Sequence, residues 1–271
     1  MDEVARPDIR LIPLSVPKLA DVLLLLTMVA ILLRRFLRTR LEQESYAREH
    51  EAARSVQQVL VPEAIPETPG FYIHSVYKPF GEVGGDFFQV VPVTSGEYAG
   101  SVLVVIGDVS GKGLPAAMTV SLLVGTFRTL AHYTQSPGQI LAAMNQRMAG
   151  RKNGGFTTCL VLRADADGML TAANAGHIAP YLDGKELPLE NGLPLGLSEA
   201  AVYSEVTVPG PQTQLTLITD GAVEARRPSG ELYGFDRTAA VSVQSAEEIA
   251  YAAQTFGQDD DITALTLAYT A

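Results

Sequence analysis

The sequence predicts an α+β fold built on antiparallel β-sheets. Three observations point there: apolar runs of strand length recur through residues 71–268, Asp-Gly pairs join some of them as hairpin turns do, and the helical patterns stand in separate blocks instead of alternating with the strands.

Taken in order, the first element is Val22–Leu33, an uncharged run of 12 residues followed by Arg34, Arg35, Arg38 and Arg40. At about 1.5 Å per residue it covers about 18 Å of a hydrocarbon core about 30 Å thick. A span must therefore reach back toward Leu11, past Asp21, Lys18 and Pro17. We read residues 1–33 as an N-terminal segment with a single transmembrane helix at about 11–33; the alternative is an apolar helix docked on the main domain or on a partner. The arginines follow the apolar run, which argues against a cleaved signal peptide and puts the C-terminal part on the cytoplasmic side of the inner or plasma membrane. Residues 34–60 are helix formers without Gly or Pro, with apolar positions Leu37, Leu41, Ala52, Val56, Val59 and Leu60. They suit a linker helix that pairs with a second copy as a homodimer, although too few heptads are filled to specify a coiled coil. Pro62, Pro66 and Pro69 mark the boundary to one main domain, residues 61–271.

Beyond that boundary, strands are expected at 71–77, 87–91, 101–107, 158–164, 170–174, 215–219 and 262–268. Asp167-Gly168 and Asp183-Gly184 supply hairpin turns, the second between 179–182 and 185–187. Helices are expected at 115–132, 137–148 and 246–254, the first opening with proline in its first turn.

Charge narrows the function. Of 20 basic and 30 acidic residues, residues 61–271 hold 11 and 22, so the main domain carries about −11. Nucleic-acid binding needs a basic patch, and this balance argues against it. The single cysteine, Cys159, lies in an apolar run and reads as a buried strand thiol rather than a nucleophile. His50 lacks the second histidine of a zinc-protease motif.

Five segments carry the chemistry: Glu82-Val83-Gly84-Gly85-Asp86, Gly107-Asp108-Val109-Ser110-Gly111-Lys112-Gly113, Asn174-Ala175-Gly176-His177, Thr219-Asp220-Gly221 and Asp259-Asp260-Asp261-Ile262-Thr263. The second is not a Walker A loop, since three residues instead of four separate its first glycine from Gly-Lys and glycine follows the lysine. It reads as a strand delivering Asp108 to a flexible turn before a helix. Thr219-Asp220-Gly221 has the same strand-then-aspartate form, and Asp259-Asp260-Asp261 leads directly into an apolar strand. His177 by itself reads as a structural histidine in a turn. A fold that gathers these ends collects several carboxylates at one point, and two of them about 4 Å apart repel by about 4 kcal/mol at an effective dielectric of about 20. Hard divalent ions with oxygen ligands relieve that repulsion.

In order and spacing these segments resemble the metal-dependent serine/threonine protein phosphatases (PPM, type 2C superfamily), in particular the bacterial SpoIIE/RsbU-like branch, over about residues 50–271. The resemblance implies two packed antiparallel β-sheets flanked by α-helices, with two Mn²⁺ or Mg²⁺ ions at one edge. It implies that Asp108 bridges both ions, that the Val109 carbonyl contributes to one, that Asp220 and Asp260 hold the other, and that Asp86 lies near the shared water; Asp261 ranks below Asp260. It implies hydrolysis of phosphoserine or phosphothreonine on a STAS-domain regulator of a sigma-factor pathway. The chain departs from many relatives in having Phe88-Gln89 after Gly-Gly-Asp-Phe where they continue Tyr-Asp, which alters hydrogen bonding around the ligands rather than the ligands. It has no evident counterpart of the phosphate-holding arginine of eukaryotic members; Lys78 and Lys112 are the candidates for that role. Two other classes remain open: a catalytically silent docking module, and a metal-dependent hydrolase of a small phosphoester.

Overall fold

Alternation along the strands sorts the apolar side chains of the main domain into two sets. In β3 (Val102–Val109), Val102, Val104 and Ile106 point into one core while Leu103 and Val105 point into another, because successive side chains leave opposite faces of a strand. A strand buried on both faces must lie between two layers. The computed structural model describes residues 20–40, 65–81, 84–150 and 155–270, and the chain divides into two units, residues 1–48 and 49–271.

In the larger unit one sheet has the strand order β1 (Phe71–Lys78), β10 (Ile262–Tyr269), β9 (Leu215–Ile218), β6 (Tyr181–Leu182) and β7 (Lys185–Glu186). The other runs β2 (Asp86–Pro92), β3, β4 (Thr157–Ala164), β5 (Met169–Ala175) and β8 (Val206–Pro209). Every pairing between these strands is antiparallel. Phe88, Val104, Leu160 and Leu162 of the second sheet pack on Leu215, Leu217, Leu265 and Leu267 of the first, which forms the sandwich. The outer face of the second sheet is covered by α2 (Leu114–Leu130) and α3 (Pro137–Met148), through Leu123, Phe127, Leu141 and Met144. The outer face of the first is covered by α4 (Asp220–Val223), α5 (Gly234–Val241) and α6 (Ala246–Gly257), through Val223, Ile249 and Ala253. The two-sheet sandwich flanked by helices agrees with the expected architecture.

The short-range signals act as expected. Asp183 and Gly184 have φ of 49° and 83°, the pair of left-handed residues that a two-residue hairpin turn requires. Ser136 caps α3 by accepting from the Gln139 amide, and Ser245 with Glu248 forms a capping box on α6. Three elements lie outside the sequence expectation. β8 is a four-residue edge strand, α4 is a single turn, and α5 buries only Thr238, so none of them carries enough apolar periodicity to be read.

The described residues cover only part of the N-terminal expectation. Residues 20–40 form one continuous helix, α1, which takes in residues of both the expected membrane segment and the expected linker helix. No Gly or Pro stands there to interrupt it. Among the described residues no helix is long and apolar enough to cross a membrane: Asp21, Arg34, Arg35, Arg38 and Arg40 flank the 12 uncharged residues of α1. Residues 11–19 of the expected span and 41–60 of the expected linker lie outside the described residues.

Candidate metal centre

Antiparallel neighbours run in opposite directions, so the start of one strand and the end of the next share an edge. Asp86 opens β2 and Asp108 lies near the end of β3, and the two are direct cross-strand partners. Asp108 also faces Thr158 of β4. In the other sheet Thr219 and Asp220 follow β9, while Asp260 and Asp261 precede β10. The topology thus brings aspartates from four of the five motifs to one edge of the sandwich; Glu82 and Val83 lie outside the described residues.

Asp86 is the most deeply placed, 2% exposed. Its Oδ2 accepts hydrogen bonds from Thr219 Oγ1 at 2.7 Å and Thr263 Oγ1 at 2.6 Å, both from the opposite sheet. Thr219 Oγ1 in turn accepts from the Thr263 amide at 2.9 Å. Burial and then Asp108 push the Asp86 carboxyl well above the usual carboxylate range, the two threonines pull it back, and Asp261 adds to the rise. Asp108 is pushed up to about 7, by burial first and then by Asp220, Asp260 and Asp261, with Lys112 acting the other way. Burial, Glu224 and Asp260 raise Asp220. Asp261 is buried and raised chiefly by desolvation, although the Phe80 amide donates to its Oδ1 at 2.8 Å and the Tyr77 hydroxyl to its Oδ2 at 3.1 Å. Asp260 lies at the exposed rim, with Lys112 Nζ 3.2 Å from its Oδ1.

The glycines between these residues are there because nothing larger fits. A Cβ on Gly85 would collide with the Val109 carbonyl and Asp108 Oδ1, one on Gly84 with the Asp261 carboxylate, and one on Gly221 with the Asp261 carbonyl. Backbone and carboxylate oxygens are thereby packed into one cradle. The donor set is all oxygen and acidic, which suits hard divalent cations such as Mn²⁺ or Mg²⁺. As the side chains stand, no group of three His, Cys, Asp or Glu among the described residues converges on one point closely enough to enclose an ion. Asp260 stands at the exposed rim beside Lys112, whereas Asp86 and Asp261 are buried.

The remaining sequence candidates are placed as follows. Val109 lies at the end of β3, where its amide donates to the Gly85 carbonyl at 3.1 Å. The carbonyl of Lys78 accepts from Gln258 Nε2 at 2.8 Å, and among the described residues no ion pair joins its ammonium to a site carboxylate. Gln89 is buried against α2, where its Oε1 accepts from Arg128 Nε at 2.7 Å; this departure ties β2 to a helix instead of altering the carboxylate edge. Cys159 is fully buried, and desolvation pushes its thiol far up, so it is no nucleophile. His177 is held in its turn by Asn174, whose side chain donates to the His177 carbonyl and accepts from its amide, both at 2.8 Å. Its Nδ1 lies 3.1 Å from Thr158 Oγ1, and among the described residues its Nε2 makes no hydrogen bond of good geometry, although the Ile218 backbone lies close enough to oppose the effect of burial on its pKa. Sequence reasoning missed Thr219, Thr263 and Tyr77 as carboxylate partners. The two threonines stand inside the acidic motifs, but only the pairing of the two sheets shows what their hydroxyls reach.

Two antiparallel sheets packed between helical layers, with coupled carboxylates gathered at one edge, define a protein of the PP2C-like phosphatase fold. Residues 98–270 match the model of the family stage II sporulation protein E (SpoIIE), and the chain belongs to that family. Over 198 residues it is 27% identical to phosphoserine phosphatase RsbU of Bacillus subtilis (strain 168), a match covering 70% of this chain and 58% of that relative, so the chain spans little more than half of RsbU's length. Among solved structures, the SiaA-PP2C domain of Pseudomonas aeruginosa aligns with a TM-score of 0.66 at 22% identity, covering 84% of this chain and 98% of that one. RsbX in complex with magnesium aligns with a TM-score of 0.56 at 17% identity, covering 76% and 99%. At these identities the two structures speak for the fold.

Proposed function

We propose that this chain is a metal-dependent phosphoprotein phosphatase that hydrolyses phosphoserine or phosphothreonine on a STAS-domain regulator. The observation that carries this reading is the convergence of Asp86, Asp108, Asp220, Asp260 and Asp261 from four separated motifs on one edge of the sandwich, with raised carboxyl pKa values at Asp86, Asp108, Asp220 and Asp261. Asp108 and the Val109 carbonyl, with Asp86, would hold one ion, and Asp108 with Asp220 and Asp260 the other. Ions bound there supply a water of lowered pKa and neutralise phosphoryl charge. Asp86, fixed by Thr219 and Thr263, would stand beside that water and orient it. Asp261 steadies the loop before β10 through Tyr77 and Phe80. No covalent phosphoenzyme is required, in keeping with the inert setting of Cys159. The likeness to a phosphoserine phosphatase supports a phosphoprotein substrate.

The reading also places the protein at the membrane, single-pass with the catalytic unit in the cytoplasm, and paired with a second copy through residues 34–60. Its support is the run Val22–Leu33, exposed on all sides of α1 and followed by four arginines. Carbonate extraction and crosslinking of the full chain in cells test both points; release by carbonate or absence of crosslinked dimer would remove them.

The central test is hydrolysis of p-nitrophenyl phosphate and of a phosphorylated STAS-domain protein by the full chain with Mn²⁺. Turnover should vanish with EDTA and in Asp108→Asn. Equal turnover in wild type and variant would overturn the assigned site. Activity on the small ester alone would favour a small-phosphoester hydrolase, and none on either a silent docking module.

A further inference from the structure

Lys112, which the resemblance leaves as a candidate for holding phosphate, stands in the structure beside one of the acidic residues of the site. Its Nζ lies 3.2 Å from Asp260 Oδ1 and 5.7 Å from the Phe80 ring centroid. It also offsets the charges of Asp108 and Asp261. Among the described residues no other Lys or Arg forms an ion pair with Asp86, Asp108, Asp220, Asp260 or Asp261; the neighbouring pair, Arg226 with Asp259 at 3.7 Å, lies one residue away on the loop.

The backbone around Lys112 allows it to leave. Gly111 and Gly113 flank it at φ of 97° and 78°, and nothing lies within 4 Å of where a Cβ would stand on either. Glycine adopts such conformations without steric cost, and the space around both leaves room for the loop to move. The side chain is 61% exposed and Asp260 is 53% exposed, so their attraction is screened by water and weak. A divalent ion held by several oxygens at once would outcompete a single ammonium in that position.

We propose that Lys112 is an internal stand-in for a divalent cation: it neutralises Asp260 while metal is absent, is displaced when metal binds, and therefore competes with the ion. The proposal rests on the metal-site reading above. It accounts for two features together, the pairing of Asp260 with Lys112 at the exposed rim and the lysine set between two left-handed glycines. It also makes Lys112 a determinant of the metal concentration at which the site fills.

The test is calorimetric titration of the full chain with Mn²⁺. Lys112→Met should bind Mn²⁺ about two- to fivefold more tightly than wild type, the gain expected on removing a weak exposed competitor, and the gain should shrink at high salt. Lys112→Arg should bind as wild type does. Cooperative melting of each variant verifies that it is folded. Equal or weaker binding by Lys112→Met, with wild type binding Mn²⁺ normally, would overturn the stand-in role and leave the metal site intact. Absence of Mn²⁺ binding by wild type would overturn both.

Discussion

Thr219, immediately after β9, donates a 2.7 Å hydrogen bond to Asp86 at the start of β2, so the two sheets are joined by a buried polar clasp at the carboxylate edge. Thr263 completes it at 2.6 Å. A buried carboxylate accepting two hydroxyl donors is stabilised against its own desolvation. Replacing Thr219 by Val should therefore cost about 1–3 kcal/mol of stability and weaken Mn²⁺ binding. Urea unfolding of the metal-free chain and Mn²⁺ titration measure the two effects; unchanged values in both would show that the clasp is incidental.

Asp108→Asn should have opposite effects on stability and function. Folding raises the Asp108 carboxyl to about 7, so above that pH the folded, metal-free chain carries a penalty for keeping it ionised. The penalty falls away as pH drops from about 7 toward the unfolded value. Removing the charge should raise metal-free stability at pH 7.5 by on the order of 1–3 kcal/mol and abolish the stabilisation that Mn²⁺ confers. Thermal melts with and without Mn²⁺ report both, and a variant less stable than wild type without metal would contradict the account.

His177 sets a pH dependence of the reverse sign. Burial lowers its pKa to about 4, below the unfolded value, so it folds as the neutral imidazole. Its contribution is complete above pH about 6.5 and is lost as pH falls toward 4, since the unfolded chain then takes the proton more readily. Because Asp108 acts oppositely in the same window, the informative quantity is the difference between wild type and His177→Gln. That difference should shrink as pH falls from about 7 to about 4.5 in urea unfolding; a constant difference would refute the role of the imidazole.

Two glycine substitutions should diverge. Gly85→Ala puts a Cβ into the Val109 carbonyl and Asp108 Oδ1, so Mn²⁺ binding and turnover should fall at least tenfold, the consequence of a displacement costing about 1.4 kcal/mol or more. Gly125, within α2, has nothing within 4 Å of the place an added methyl group would occupy, and Gly125→Ala should stabilise the chain by about 0.5–1 kcal/mol. Chemical denaturation and metal titration distinguish the pair; equal behaviour would mean that the cradle is looser than its geometry indicates.

Much of this molecule is legible in its residues. The long strands 102–109, 157–164 and 262–269, the Asp183-Gly184 hairpin and the helices beginning at Leu114, Pro137 and Ala246 all show through local signals: period-two burial, turn chemistry and caps act within a few residues. The choice of Asp86, Asp108, Asp220 and Asp260 as ligand candidates rests on the family resemblance, but the acidic motifs themselves are equally visible, because an aspartate beside an apolar run is conspicuous. α5 and β8 are not, since their apolar contacts are few. At the N-terminus the helix-forming character of residues 20–40 is legible, and the backbone is helical throughout them.

By itself the sequence determined which segments become strands and helices and which carry the acidic groups. Tertiary structure alone decided that Thr219 and Thr263 serve Asp86, that Asp261 turns inward to Tyr77 and Phe80 while Asp260 meets Lys112, and that Gln89 joins a helix rather than the site. The physical reason is range. Backbone preference is settled by near neighbours, whereas these hydrogen bonds and charge pairs link residues up to 184 positions apart and come into being only when two separately formed sheets are packed together.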